Sequence, residues 1–394
     1  MHEYDVLVIG AGIHGAGVAQ AAAAAGYSVL VLEKNNIGSG TSSKSSKLIH
    51  GGLRYLESYQ FSLVRKSLKE RAVLCRLAPE LVKLKPFYIP VYKKTSRRPL
   101  HIRIGLILYS ILGGLHKDNL FKRIRRKKVE RLDGLNKTDL QQVYRYYDGQ
   151  TNDKKLTQAV MKSAQQLGAE LYCPVEISLI DKIDTGFSLT FKEQGVDKKV
   201  QAKVVINAAG PWVNEIHKLV STEVSSLDVE LVQGTHIIID TPAPSGIYYL
   251  EAVDQRAVFV MPYEFEGKIR TMIGTTEKLY QGNADDVKVT EEEIDYLVNV
   301  YKTYFPEYLN INIIEKFAGL RVLPKNEGSN RSLFSRPRDT ILHCALPQFL
   351  TLYGGKLTAY RSTSELVIKK IKPGLSKRKR IAYTDQLYLS KDLS

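Results

Sequence analysis

Residues Thr41 to Glu57 read TSSKSSKLIHGGLRYLE. This one short loop holds a run of hydroxyls, two lysines (Lys44 and Lys47), the imidazole of His50, a Gly51-Gly52 pair, the guanidinium of Arg54 and the phenol of Tyr55. Side chains of these types donate to anionic oxygen and can take up a proton near neutral pH. The stretch before the loop supplies a scaffold for them. Residues 4–33 read YDVLVIGAGIHGAGVAQAAAAAGYSVLVLE. An apolar run, Val6 to Ile9, leads into Gly10, Gly12 and Gly15. An alanine-rich helix predicted over Ile13–Ala25 follows, then a second apolar run that ends at Glu33. This is the strand, glycine loop, helix and strand of a dinucleotide site.

Each part of that pattern has a physical task. Gly10 permits the tight turn, Gly12 lets backbone approach a pyrophosphate, and Gly15 lets the helix lie close to the strand. Backbone N–H groups at Ile13 and His14 face the diphosphate. Glu33, with Lys34 beside it, stands where an acid binds ribose hydroxyls and repels a 2′-phosphate. Both NAD and FAD fit this fingerprint, and later segments favour FAD. Thr41, Ser42, Ser43 and Ser46, with Lys47, Leu48 and Ile49, directly follow the second strand. From there their hydroxyls can reach pyrophosphate oxygens and a flavin edge. A second strand-to-helix junction, FLTLYGGKLTAYRS (349–362), offers Gly355, Lys356, Leu357 and Thr358 at a helix start. A helix N-terminus there would stabilise a reduced flavin. A third, VVINAAGPWVNEI (204–216), offers Ala208, Ala209, Gly210 and Trp212. Val175 completes the set of candidate cofactor contacts.

With these segments in view, the chain resembles the FAD-dependent glycerol-3-phosphate dehydrogenases of the aerobic type, within the D-amino-acid-oxidase-like flavoprotein superfamily. The likeness is carried by GAGIHGAG, SSKLIHGGLRYLE (45–57), GTHIII (234–239), AGLRVL (318–323) and GGKLTAYR (354–361). It spans nearly the whole chain, and SSKLIHGGLRYLE is specific to the family. The resemblance implies an α/β fold, with a Rossmann-like FAD-binding domain and an interleaved α+β substrate domain carrying a mainly antiparallel sheet. It also implies oxidation of glycerol 3-phosphate to dihydroxyacetone phosphate, with electrons passed to a membrane quinone. An oxidase using oxygen, a non-catalytic flavin-binding protein, and another oxidase of amino or hydroxy acids are the alternatives. Family members continue into a C-terminal helical domain, so the expectation is that this chain ends about where that domain would begin.

Oxidising a secondary alcohol on a flavin requires hydride transfer, loss of the hydroxyl proton and a firmly held substrate phosphate. Arginine suits phosphate because its planar fork donates in pairs. Arg54, Arg321 and Arg336 stand in the family-like segments GGLRYLE, AGLRVL and FSRPRD, and Tyr55 adds a donor. The base is left among His50, His236, Arg321 and Lys356. Arg321 and Lys356 are better suited to stabilising an alkoxide.

The nucleotide-site elements place the FAD domain at residues 1–86, 152–220 and 325–394, and the substrate domain at 87–151 and 221–324. Strands are expected at Val229–Asp240, Ala257–Tyr263 and Arg270–Thr276, and a helix at Glu291–Tyr304 capped by Thr290. Three scattered cysteines in 394 residues give neither a metal site nor a disulfide framework, which suits a reducing cytoplasm. The first strand begins by Tyr4, leaving no room for a signal peptide, and no apolar run is long enough to span a bilayer.

The net charge of +16 is clustered. Lys93, Lys94, Arg97 and Arg98 precede the apolar segment Leu100–Leu115, Lys122 to Lys128 follow it, and Lys369 to Arg380 form a further group. No zinc-finger or RNA-binding signature accompanies them, which argues against a nucleic-acid partner. Cations around an apolar segment suit an anionic membrane surface, whereas a helix apolar nearly all round is often buried core. Together with the resemblance, this leads us to expect a cytoplasmic protein peripherally attached to the cytoplasmic face of the inner membrane.

Overall fold

A computed structural model describes residues 2–308, 310–325 and 340–392. The chain begins with strand β1 (Glu3–Ile9), helix α1 (Ile13–Ala24) and strand β2 (Val29–Leu32). Then come β3 (Leu48–Ile49), α2 (Phe61–Leu77), β4 (Val82–Tyr92), α3 (Pro99–Leu112), β5 (Lys122–Arg123), α4 (Arg126–Val129), β6 (Leu140–Thr151) and α5 (Asp153–Gln166). Strands β7 (Glu170–Tyr172), β8 (Val175–Ile183), β9 (Gly186–Glu193) and β10 (Val196–Asn207) lead to α6 (Val213–Lys218). After them follow β11 (Val229–Ile239), β12 (Ile247–Glu251), β13 (Ala257–Phe265), β14 (Lys268–Gly274), β15 (Lys278–Tyr280), α7 (Glu291–Tyr304), β16 (Ile313–Pro324), β17 (Ile341–Leu346), β18 (Phe349–Tyr353) and α8 (Tyr360–Ile371).

Two sheets organise these elements. The first has the order β17-β18-β10-β1-β2-β7, and β8 and β9 extend it through β10. Strands β18, β10, β1, β2 and β7 run parallel. The central strands β1, β2 and β18 and the end of β10 are almost entirely buried and mostly apolar because both faces are covered. On one face, α1 packs between the sheet, α5 and α8 in a core of small alanines and β-branched residues. Gly15 makes this close approach possible, since a Cβ there would stand 1.8 Å from the Gly10 carbonyl oxygen.

The second sheet has the order β15-β11-β14-β13-β12-β4-β6-β3, with β16 on β11 and β5 on β6. It is antiparallel except where β12 runs parallel to β4. Helix α7 covers one face through Ile294, Leu297 and Val300. Its start follows the sequence expectation, because Thr290 and Glu293 form a reciprocal capping box. The fold is therefore α/β, with a Rossmann-like parallel layer joined to a mainly antiparallel sheet.

Candidate active site

The carboxyl ends of β1, β2, β10 and β18 open on one cavity of about 1050 Å3. Gly10, Glu33, Ala208 and Gly354, each directly following one of those strands, form its floor. Ligands of open α/β sheets bind at this place, where the chain turns from strand into helix. The opposite wall comes from the second sheet, through Ala318–Pro324 on β16 and the rings of Phe87, Tyr146, Tyr249 and Phe259.

At the dinucleotide end, the first turn of α1 carries no side-chain cap at Gly12. Ser42 Oγ accepts from the Ile13 N–H at 2.9 Å. Glu33 is buried and braces the loop, accepting from the Ala11 N–H at 2.6 Å and the Asn35 N–H at 2.9 Å. Its main-chain carbonyl accepts from the Val175 N–H at 2.9 Å. Lys34 Nζ lies 4.3 Å from the centroid of the Trp212 ring and pairs with Asp285 at 2.8 Å. Both ring nitrogens of His14 are buried without a hydrogen-bond partner, and burial pushes this imidazole down to about 4. Gly355 leaves room for it, since a Cβ there would lie 2.1 Å from His14 Nε2.

At the other end, His50, Arg54, Tyr55, Arg321 and Lys356 all line the cavity. The turn that delivers the first three needs Gly52, whose φ is +78° and whose Cβ would fall 2.2 Å from the Tyr55 ring. The His50 N–H donates to Thr358 Oγ1 at 3.2 Å, which ties this loop to the segment after β18. Lys356 Nζ stands 3.8 Å over the Tyr55 ring. Arg321 donates to Glu277 Oε1 at 2.8 Å, and the Glu277 side chain is only 7% exposed. Among the described residues, no carboxylate pairs with Arg54.

Of the expected cofactor contacts, Gly10, Gly12, Ile13, His14, Glu33, Lys34, Thr41, Ser42, Ser46 and Leu48 meet on the cavity wall. So do Val175, Ala208, Ala209, Gly210, Trp212, Gly355, Lys356, Leu357 and Thr358. Four residues, Gly15, Ser43, Lys47 and Ile49, stand behind the wall instead. Gly15 serves the helix–strand contact, and Ile49 pairs in β3 with β6. Ser43 turns its hydroxyl to the carbonyls of Ser39 and Gly40.

Lys47 is buried, and a buried ammonium needs a counter-charge. It finds one in Asp153 at 2.7 Å, at the start of α5. His236 is 1% exposed, stacks on Phe317 with ring centroids 5.1 Å apart, and shares a 3.0 Å hydrogen bond with Ser46 Oγ. Burial, then the charges of Lys47 and Arg321, hold it well below the usual histidine range. A neutral imidazole behind the wall is badly placed as the base. Arg336 lies outside the described residues.

Sequence reasoning missed Glu277 and the aromatic wall. Glu277 follows an ordinary apolar strand, and it meets Arg321 only because β15 and β16 flank β11 on opposite sides. No local signal announces that register.

The chain's relatives agree with this geometry. Residues 5–361 match the FAD dependent oxidoreductase family DAO, and the chain belongs to it. It is 34% identical over 377 residues to the D-erythritol 1-phosphate dehydrogenase of Brucella abortus, covering 93% of this chain and 73% of that protein. It is 36% identical over 375 residues to the glycerol-3-phosphate dehydrogenase of Pseudomonas aeruginosa, covering 94% and 72%. The glycerol-3-phosphate dehydrogenase of Bacillus halodurans, solved complexed with FAD, superposes with a TM-score of 0.75 at 25% identity, over 98% of this chain and 68% of that one.

The cofactor is FAD, and the residues present fit it. The start of α1, a buried acid at the end of β2 and a hydroxyl-bearing loop face one cavity. The cavity is narrow at Gly12, where a Cβ would come within 3.2 Å of Ser42 Oγ.

Proposed function

We propose that the chain oxidises sn-glycerol 3-phosphate to dihydroxyacetone phosphate, and that a membrane quinone takes the electrons. The observation that carries this reading is the convergence of His50, Arg54, Tyr55, Arg321 and Lys356, from three distant segments, on the cavity that fits FAD. FAD, when bound, supplies a two-electron acceptor for hydride. Arg54, with no carboxylate neutralising it among the described residues, binds the substrate phosphate, and Tyr55 adds a hydroxyl. Arg321, steered by Glu277, and Lys356 offset negative charge on the substrate oxygen. His50 receives the hydroxyl proton, because His14 keeps its nitrogens buried and His236 stands outside the wall. The choice of glycerol 3-phosphate as substrate is supported by the likeness to proteins named glycerol-3-phosphate dehydrogenase.

The quinone and the inner-membrane attachment are supported by α3. Its inner side buries Leu106, Tyr109 and Ser110, while Leu100, Ile104, Ile107, Leu108 and Ile111 are exposed. Exposed cations precede and follow α3 in the chain, Lys93, Lys94 and Arg98 before it and the cations of Lys122 to Lys128 after it. No helix among the described residues is long and apolar enough to cross a membrane. An apolar strip between cations matches an anionic bilayer surface.

A longer polyol phosphate is the second reading, favoured by the likeness to a D-erythritol 1-phosphate dehydrogenase. Turnover of both substrates with a quinone analogue, alongside a peroxide assay in air, tests these assignments. Higher kcat/KM for glycerol 3-phosphate and slow peroxide release are expected. Preference for the four-carbon phosphate would displace the first reading, and peroxide formed at the turnover rate would replace the quinone with oxygen.

A further inference from the structure

Two consecutive residues of the loop that carries His50 and Arg54 are gripped through their main-chain N–H groups, one from the cavity wall and one from behind it. Thr358 holds the His50 N–H, as described above. The Gly51 N–H donates to the hydroxyl oxygen of Tyr109 at 2.9 Å. Tyr109 lies on the inner side of α3 and donates in turn to Asp148 Oδ2 at 2.6 Å. The other oxygen of Asp148 accepts from Arg71 of α2, which also donates to the Tyr147 carbonyl at 2.9 Å and to Asn119. Tyr109 and Asp148 are each 1% exposed and Arg71 is 3% exposed. None of the three lines the cavity.

The direction of every bond in this chain is fixed. An ionised carboxylate paired with a guanidinium only accepts. Tyr109 must therefore spend its proton on Asp148. Burial and the charge of Asp148 hold its phenol well above the usual range, so that proton stays in place. Its oxygen is left to accept, and the Gly51 amide is the donor it meets. Tyr109 is buried, so this bond forms in a low-dielectric setting that strengthens it. The fit is also tight, since a Cβ on Gly51 would stand 2.5 Å from the Tyr109 oxygen.

We propose that Tyr109 and Asp148 are positioning residues for the oxidation, acting through Gly51 to fix His50 and Arg54 in the cavity. This rests on the reading that His50 and Arg54 handle the substrate. A misplacement of about 1 Å at reacting groups costs about 100-fold in rate.

The test compares FAD-loaded wild type with Tyr109→Phe. FAD affinity is followed by quenching of Trp212, which is the single tryptophan of the sequence and lines the cavity. Hydrogen exchange is read in peptides covering residues 48–56, and flavin bleaching by glycerol 3-phosphate is timed without air. In the variant, FAD affinity should stay within about twofold. Exchange should speed up at least about tenfold, and bleaching at saturating substrate should slow by about 10- to 100-fold. Asp148→Asn keeps an acceptor for Tyr109 and should bleach faster than Tyr109→Phe.

A Tyr109→Phe protein with a lowered Tm but wild-type exchange and bleaching would overturn the proposal. If Tyr109→Phe does not fold, exchange of the Gly51 amide in the wild type decides. Protection equal to that of β1 supports the clamp, and exchange within seconds overturns it. Failure of glycerol 3-phosphate to bleach the wild type would count against the substrate reading instead, and the exchange comparison would still stand.

Discussion

Arg321 and Glu277 form a charge pair in the cavity wall, and removing one partner has two separable consequences. Glu277 is almost fully buried, so Arg321→Ala leaves its carboxylate without that guanidinium. Arg321→Ala should therefore lower Tm and lose nearly all turnover while keeping the yellow cofactor. The double variant Arg321→Ala/Glu277→Gln should recover most of the Tm and none of the turnover. Wild-type turnover in the single variant would remove Arg321 from the mechanism.

The buried histidines give a second residue-scale expectation. Burial lowers His14 and His217 to about 4, and His236 lies well below its ordinary value. All three are neutral in the folded chain, and the unfolded chain takes up protons first as pH falls. Their contribution to stability is present at neutral pH and is lost from about pH 6.5 downward, toward pH 4. Melting curves should show Tm falling by about 5–10 °C between pH 7.5 and pH 5. A flat profile would contradict these assignments.

Helix α3 joins two roles at the scale of an element. Its inner face grips the loop at Gly51, and its outer face exposes apolar residues between two basic stretches of the chain. Each basic residue near an anionic surface contributes about 1 kcal/mol. Changing Lys122, Arg123, Arg125 and Arg126 together to Gln should then weaken binding to anionic vesicles at least about 100-fold in low salt. Unchanged co-sedimentation would rule this patch out. The segment also shows what a sequence conceals: apolar residues nearly all round the helix hid which side is buried, at Leu106 and Tyr109, and which is open.

The glycine loop, α1 and Glu33 were legible because the whole device lies within one strand–helix–strand unit. The capping box of α7 was legible for the same reason. Lys47, His236 and Glu277 were misread or missed because their partners Asp153, Ser46 and Arg321 come from other elements, brought close only by the sheet register. Tyr109 lay unremarked inside the apolar segment Leu100–Leu115, and nothing local announced its bond to Gly51.

Seen as a whole, the molecule is a cavity between two sheets, lined by groups that neither sheet supplies alone. The parallel sheet provides strand ends and an open helix start. The antiparallel sheet provides Arg321, Glu277 and the aromatic wall. The loop between β2 and α2 crosses from one to the other and brings His50, Arg54 and Tyr55. The positive balance of the chain has a part inside this arrangement, through Arg54, Arg321 and Lys356, as well as on the surface beside α3.

The most direct measurement is anaerobic addition of glycerol 3-phosphate to the FAD-loaded chain, with absorbance followed at the flavin band. Full bleaching at stoichiometric substrate, slowed at least about tenfold by Arg54→Ala at subsaturating concentrations, is the expected result. A yellow cofactor that stays oxidised under excess substrate, in a protein that binds FAD normally, would contradict the assignment of this cavity to polyol-phosphate oxidation.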